Sequence, residues 1–75
     1  MIAMSLDEYL WRSRLSRRLL AERLGVSRGT VQGWLRFERT GQRGGGSFPP
    51  SPGAAGRLEK ATGGAVRADQ WGRDG

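Results

Sequence analysis

Ser16 to Arg36 leaves little choice of local fold: it reads Ser-Arg-Arg-Leu-Leu-Ala-Glu-Arg-Leu-Gly-Val-Ser-Arg-Gly-Thr-Val-Gln-Gly-Trp-Leu-Arg. Ser16 is placed to cap one helix, with Leu15 and Leu20 as its hydrophobic staple. Leu20, Ala21 and Leu24 then share one face. Gly25 follows the last apolar residue, where a helix that stops needs positive φ. Ser27 caps the next helix, with Val26 and Val31 as the staple. Around that helix Val31, Trp34 and Leu35 occupy one side, while Arg28, Gln32 and Arg36 turn to nearly the opposite one. Two helices across so tight a turn must cross closely, and Ala21 is small where they do.

This is the spacing of a helix-turn-helix, whose second helix enters the major groove of DNA. The flanking sequence reads as support for it. Ser5-Leu-Asp-Glu8 is a capping box, in which the Ser5 hydroxyl accepts the Glu8 amide and Glu8 reaches back. Met4 is placed to staple onto Tyr9. The first helix is expected over about Leu6 to Arg14, with Leu6, Tyr9 and Leu10 inward and Trp11 at the edge of the core. Residues 38–50 read as a mobile loop, since Gly44, Gly45 and Gly46 are consecutive and Arg39 and Arg43 project from it. Phe48, before Pro49 and Pro50, is expected to anchor this loop on the core. Ser51 and Pro52 open a fourth helix, about Gly53 to Thr62, with Ala54, Leu58 and Ala61 on its apolar face. Gly63 and Gly64 end it, and a last turn is expected at Ala68 to Trp71. The expected organisation is therefore an all-α bundle of four or five short helices in one domain, residues 5–71. An N-terminal extension (1–4) and a flexible tail (72–75) flank it.

Seventy-five residues make one small domain with a modest core. The net charge is +6, and residues 1–43 carry nine arginines against four acids. That balance argues for a polyanionic partner, nucleic acid first, and the arginine fork suits phosphate and guanine. With no Cys and no His, disulfides, zinc fingers and the commonest acid/base and nucleophile pairs drop out. The acids are used by caps and surface, and no phosphate-binding Gly-Lys motif is present, so no enzyme, no cofactor, no metal and no small-molecule ligand is expected. No run is long enough to span a membrane, and Met1 to Met4 is too short for a signal peptide's apolar segment. The expected address is the cytoplasm, with translation starting at Met1 or at Met4.

On duplex DNA, Arg28 would donate a fork to guanine and Gln32 would pair with adenine or a neighbouring base. A first-turn phosphate contact is the other use open to Arg28. Arg17, Thr30, Arg36, Arg39 and Arg43 would hold phosphates. Gly29 and Gly33 either let the helix backbone approach DNA or are tolerated surface residues. A homodimer would match half-sites about 34 Å apart. Its contact would be built by Leu58, Val66 and Trp71; alternatively, Val66 and Trp71 close the protomer's own core.

Residues 20–35, Leu-Ala-Glu-Arg-Leu-Gly-Val-Ser-Arg-Gly-Thr-Val-Gln-Gly-Trp-Leu, resemble the lambda-repressor/Cro type of helix-turn-helix. Residues 58–69, Leu-Glu-Lys-Ala-Thr-Gly-Gly-Ala-Val-Arg-Ala-Asp, are similar to the tail of small Cro-like, YdaS-type prophage regulators. The resemblance implies a helical, often dimeric repressor that binds operator DNA at a phage or prophage promoter. It puts Arg17 on a phosphate, Ser27 and Arg28 at the groove-facing start of the recognition helix, Gly29, Gln32 and Gly33 toward bases, and Arg36 further along. The chain departs from the pattern in having Arg17 for the common Gln, two groove-facing glycines, and a longer loop after the third helix. Two other readings stay open: an antitoxin or other module whose main task is to bind a partner protein, and non-specific nucleic-acid or RNA binding through the Arg- and Gly-rich loop.

Overall fold

The computed structural model describes residues 4–71; Met1 and the rest of the expected extension before Met4, and the tail expected over residues 72–75, lie outside them. Four α-helices, α1 (Leu6–Ser13), α2 (Arg17–Leu24), α3 (Arg28–Thr40) and α4 (Pro52–Ala61), are followed by a 3-10 turn, Ala68–Trp71. Each α-helix starts at a serine in extended backbone: Ser5, Ser16, Ser27 and Ser51. Their hydroxyls accept the amides of Glu8, Leu19, Thr30 and Ala54 at 3.0, 3.1, 3.1 and 3.3 Å. These bonds satisfy amides that have no partner within the helix.

The ends are equally local. Gly25 closes α2 at φ 71°, and Val26 N–H donates to Ala21 C=O at 3.0 Å. At the end of α1, Arg14 takes the same left-handed conformation at φ 53°, the only non-glycine among the described residues to do so. Leu15 N–H then reaches back to Leu10 C=O at 3.0 Å, the same helix-closing bond. Helix α3 runs on through Glu38, Arg39 and Thr40, which the change in composition had assigned to the loop, and stops at Gly41.

The core draws Leu6 and Leu10 from α1, Leu20, Ala21 and Leu24 from α2, Val31, Trp34 and Leu35 from α3, and Ala54, Ala55 and Leu58 from α4, with Val66 and Trp71 closing it. Helix α2 packs on α3 and α4, and α1 packs on α3. Tyr9, Leu15 and Val26 lie partly buried against this cluster. Three expectations change here. Ala61 is exposed and Ala55 takes the inward place on α4. Trp11 is 82% exposed rather than at the core edge; it stands one helical turn from exposed Asp7, on the side of α1 away from Leu6 and Leu10. Leu58, Val66 and Trp71 lie inside the protomer, with Leu58 and Val66 wholly covered, so they are not free to build a dimer contact.

Long-range polar contacts lock the ends together. Glu38 of α3 caps α1, its carboxylate accepting Leu6 N–H at 2.7 Å and Asp7 N–H at 3.1 Å. Glu8 does not reach back as the capping box predicts; it pairs with Arg12 at 2.8 Å instead. Met4 N–H donates to Ala65 C=O at 2.8 Å, and the Gln70 side-chain amide donates to Met4 C=O at 3.0 Å. The Glu59 carboxylate accepts Ala68 N–H at 2.8 Å, and the buried Thr62 hydroxyl donates to Leu58 C=O and accepts Val66 N–H. No helix among the described residues is long and apolar enough to cross a membrane.

Candidate nucleic-acid interface

The turn at Gly25 joins the end of α2 to the start of α3, and the first residues of both helices line one open cleft together with α1. Helix α2 and its cap contribute Ser16, Arg17 and Arg18; α3 contributes Arg28, Gly29 and Gln32. Leu10, Leu15 and Trp11 form the side toward α1, with Asp7 at the rim. Of the residues expected to touch DNA, Arg17, Arg28, Gly29 and Gln32 are thus brought together. Arg17, Arg18 and Arg28 are exposed. No side chain of the three has a hydrogen bond or ion pair to another described residue, which leaves their guanidinium donors open to solvent.

Ser27 and Thr30 stand at the same end of α3 but outside the cleft lining. The Ser27 hydroxyl accepts Thr30 N–H at 3.1 Å and lies 2.8 Å from the Thr30 hydroxyl. Its first role is therefore to cap α3, which holds Arg28 and Gly29 in the first turn.

The far half of α3 is arranged differently. Residues 41–48 fold back over it, with paired backbone bonds between Gly44 and Ser47 at 2.9 and 3.0 Å. The Ser47 hydroxyl donates to Gln42 C=O at 2.8 Å, and Phe48 N–H donates to Gly33 C=O at 3.2 Å. Gly33, expected to face bases, is buried. A Cβ there would overlap Cε2 and Cζ of Phe48 and stand 2.9 Å from the Gly46 carbonyl oxygen. This is why the residue is glycine: the loop lies directly on the helix. Phe48 anchors the loop as expected, but on α3 rather than in the core, and it stays 38% exposed. Arg36, expected on phosphate, donates from Nη1 to Gly45 C=O at 3.3 Å. Arg39 and Arg43 are exposed, on the last turn of α3 and on the loop, away from the cleft.

Gly29 contrasts with Gly33. The nearest atom to a Cβ there is the Ser27 hydroxyl oxygen at 3.9 Å, so nothing in the fold demands glycine. Arg18 and Trp11 belong to the cleft although the sequence reading assigned neither to it. Arg18 neighbours Arg17 after the Ser16 cap, and Trp11 shares a face of α1 with Asp7; those positions were the available signals. Among the described residues no group of three or more His, Cys, Asp or Glu could hold a metal ion. No family model, curated protein or solved structure matches the chain.

Proposed function

We propose that this protein is a sequence-specific double-stranded-DNA-binding transcriptional regulator, a phage- or prophage-type repressor acting in the cytoplasm on an operator near its own operon. The observation that carries the reading is the convergence of three arginines with no side-chain partner among the described residues, Arg17, Arg18 and Arg28, with Gln32 and the open backbone at Gly29 on one cleft. Helices α2 and α3 act as a helix-turn-helix, with α3 in the major groove. Arg28 donates its fork to a guanine, and Gln32 reads the neighbouring pair. Arg17 and Arg18, at the start of α2, hold the phosphates that flank the groove. Arg39 and Arg43 add phosphate contacts from the far end of α3 and the loop. With Gly33 under Phe48 and Arg36 on the loop, base reading falls to the first half of α3. Two copies, brought together by a two-fold operator, would occupy half-sites about 34 Å apart.

The test compares two variants on operator and random duplexes. Arg28→Ala is expected to weaken operator binding by about 1–3 kcal/mol and to relax base preference, whereas Arg39→Ala weakens all sequences alike. Equal losses for Arg28→Ala on both duplexes would remove its base-reading role. Binding of a stoichiometric protein partner, with no preference among duplexes, would favour the partner-binding module instead.

A further inference from the structure

We infer that Trp11 is a further DNA-contacting residue, closing its indole onto the sugar-phosphate backbone beside the groove that α3 enters. The inference rests on the DNA-binding reading of the cleft.

Trp11 is 82% exposed, whereas Trp34 and Trp71 are 2% and 8% exposed. Leaving so large an apolar side chain in water has a cost that the fold itself does not offset. Its surroundings are not neutral. Trp11 is a ridge between two shallow depressions. One holds Arg17, Arg18 and Arg28, and the other holds Arg14 and Arg12, of which Arg12 is paired with Glu8. Leu10 and Leu15 line both. The ridge is apolar, its tip carries an N–H donor, and arginines stand on both sides.

A duplex backbone has the complementary character, with apolar deoxyribose faces between anionic phosphates. The indole has an apolar body to lie on the sugar and an N–H to donate to a phosphate oxygen. The arginines on either side take the neighbouring phosphates. A second copy of this chain is the poorer occupant, because its net charge is +6 and this face is already basic. Among the described residues Asp7 is the only carboxylate lining the cleft, and it sits one helical turn from Trp11, toward the start of α1.

The three tryptophans make the test direct. Since Trp34 and Trp71 are buried, collisional quenching of tryptophan emission by acrylamide reports Trp11. Trp11→Phe supplies the fully protected baseline. The full chain is titrated with unlabelled duplex while binding is followed separately by the anisotropy of a fluorescein-labelled duplex. Quenching is expected to fall toward the Trp11→Phe level as duplex saturates the protein. Trp11→Ala is expected to weaken duplex binding about tenfold, or about 1.4 kcal/mol. It should leave helix content, melting temperature and the salt dependence of binding in place, because no charge is lost. Arg17→Ala, as the comparison, should lower the salt slope by about 1. Trp11→Phe should recover part of the affinity through its ring.

Duplex bound by anisotropy, with Trp11 still quenched as in the free chain and Trp11→Ala binding as well as the parent, would overturn the inference and leave the DNA reading standing. Protection of Trp11 that rises with protein concentration in the absence of DNA would overturn it in favour of a second copy. Absence of duplex binding even at low salt would remove both.

Discussion

Gly29 and Gly33 stand one turn apart on α3 and meet opposite surroundings. A methyl group at Gly33 would strike the Phe48 ring and crowd the Gly46 carbonyl. Gly33→Ala should therefore cost about 1–3 kcal/mol of overpacking, against a gain in helix propensity of up to about 1 kcal/mol. A lower urea midpoint is the expected outcome, and an unchanged one would show that the loop yields freely. At Gly29 there is room, so Gly29→Ala should stabilise the fold by roughly 0.5–1 kcal/mol. On the proposed DNA-binding mode, the same variant should bind operator DNA less well, because the added methyl would stand where α3 would approach the groove. Greater stability with undiminished binding would make Gly29 a tolerated surface residue.

Among the elements, α1 shows how a helix can begin with help from a distant one. Ser5 satisfies the Glu8 amide, while Glu38, from α3, satisfies those of Leu6 and Asp7. Glu38→Ala should cost about 1–2 kcal/mol, the usual loss for a helix cap with charge-assisted bonds. In a domain this size that lowers the melting temperature by about 4–8 °C per kcal/mol. Glu38→Gln, which keeps an acceptor but loses the charge, should fall between the two. A melting temperature unchanged in Glu38→Ala would mean that water replaces the cap without loss. The four serine caps and the glycine stop at Gly25 were legible in the sequence, because each acts within about one turn of its own helix. So was the grouping of Arg17, Arg28 and Gln32, which follows once α2 and α3 are joined by so short a turn. The cap from Glu38 was not legible, since it joins residues 32 and 31 positions apart. Nor was the burial of Gly33, which depends on where a loop containing three consecutive glycines comes to rest. Trp11 was misplaced because its size suggested burial, whereas its position one turn from Asp7 turns it outward.

For the whole molecule, Val66 and Trp71 close the protomer's own core, the second of the two uses open to them, and with Leu58 also buried the apolar surface that a dimer contact would have used is gone. The free chain is therefore expected at monomer mass in light scattering, with two copies meeting only on a two-fold operator; a dimer mass without DNA would contradict this. The charge is distributed as the proposed DNA face requires: three arginines with no side-chain partner among the described residues line the α1–α2–α3 cleft, while Glu38 and Glu59 are used inside the fold as caps. Binding should consequently weaken as salt rises, with the phosphate contacts setting the slope. The most direct measurement is a titration of the full chain against a labelled duplex carrying the sequence immediately upstream of its reading frame, with excess random duplex as competitor. Retention of the upstream duplex under that competition is the predicted result; displacement by random duplex as readily as by the unlabelled upstream sequence would contradict sequence-specific recognition.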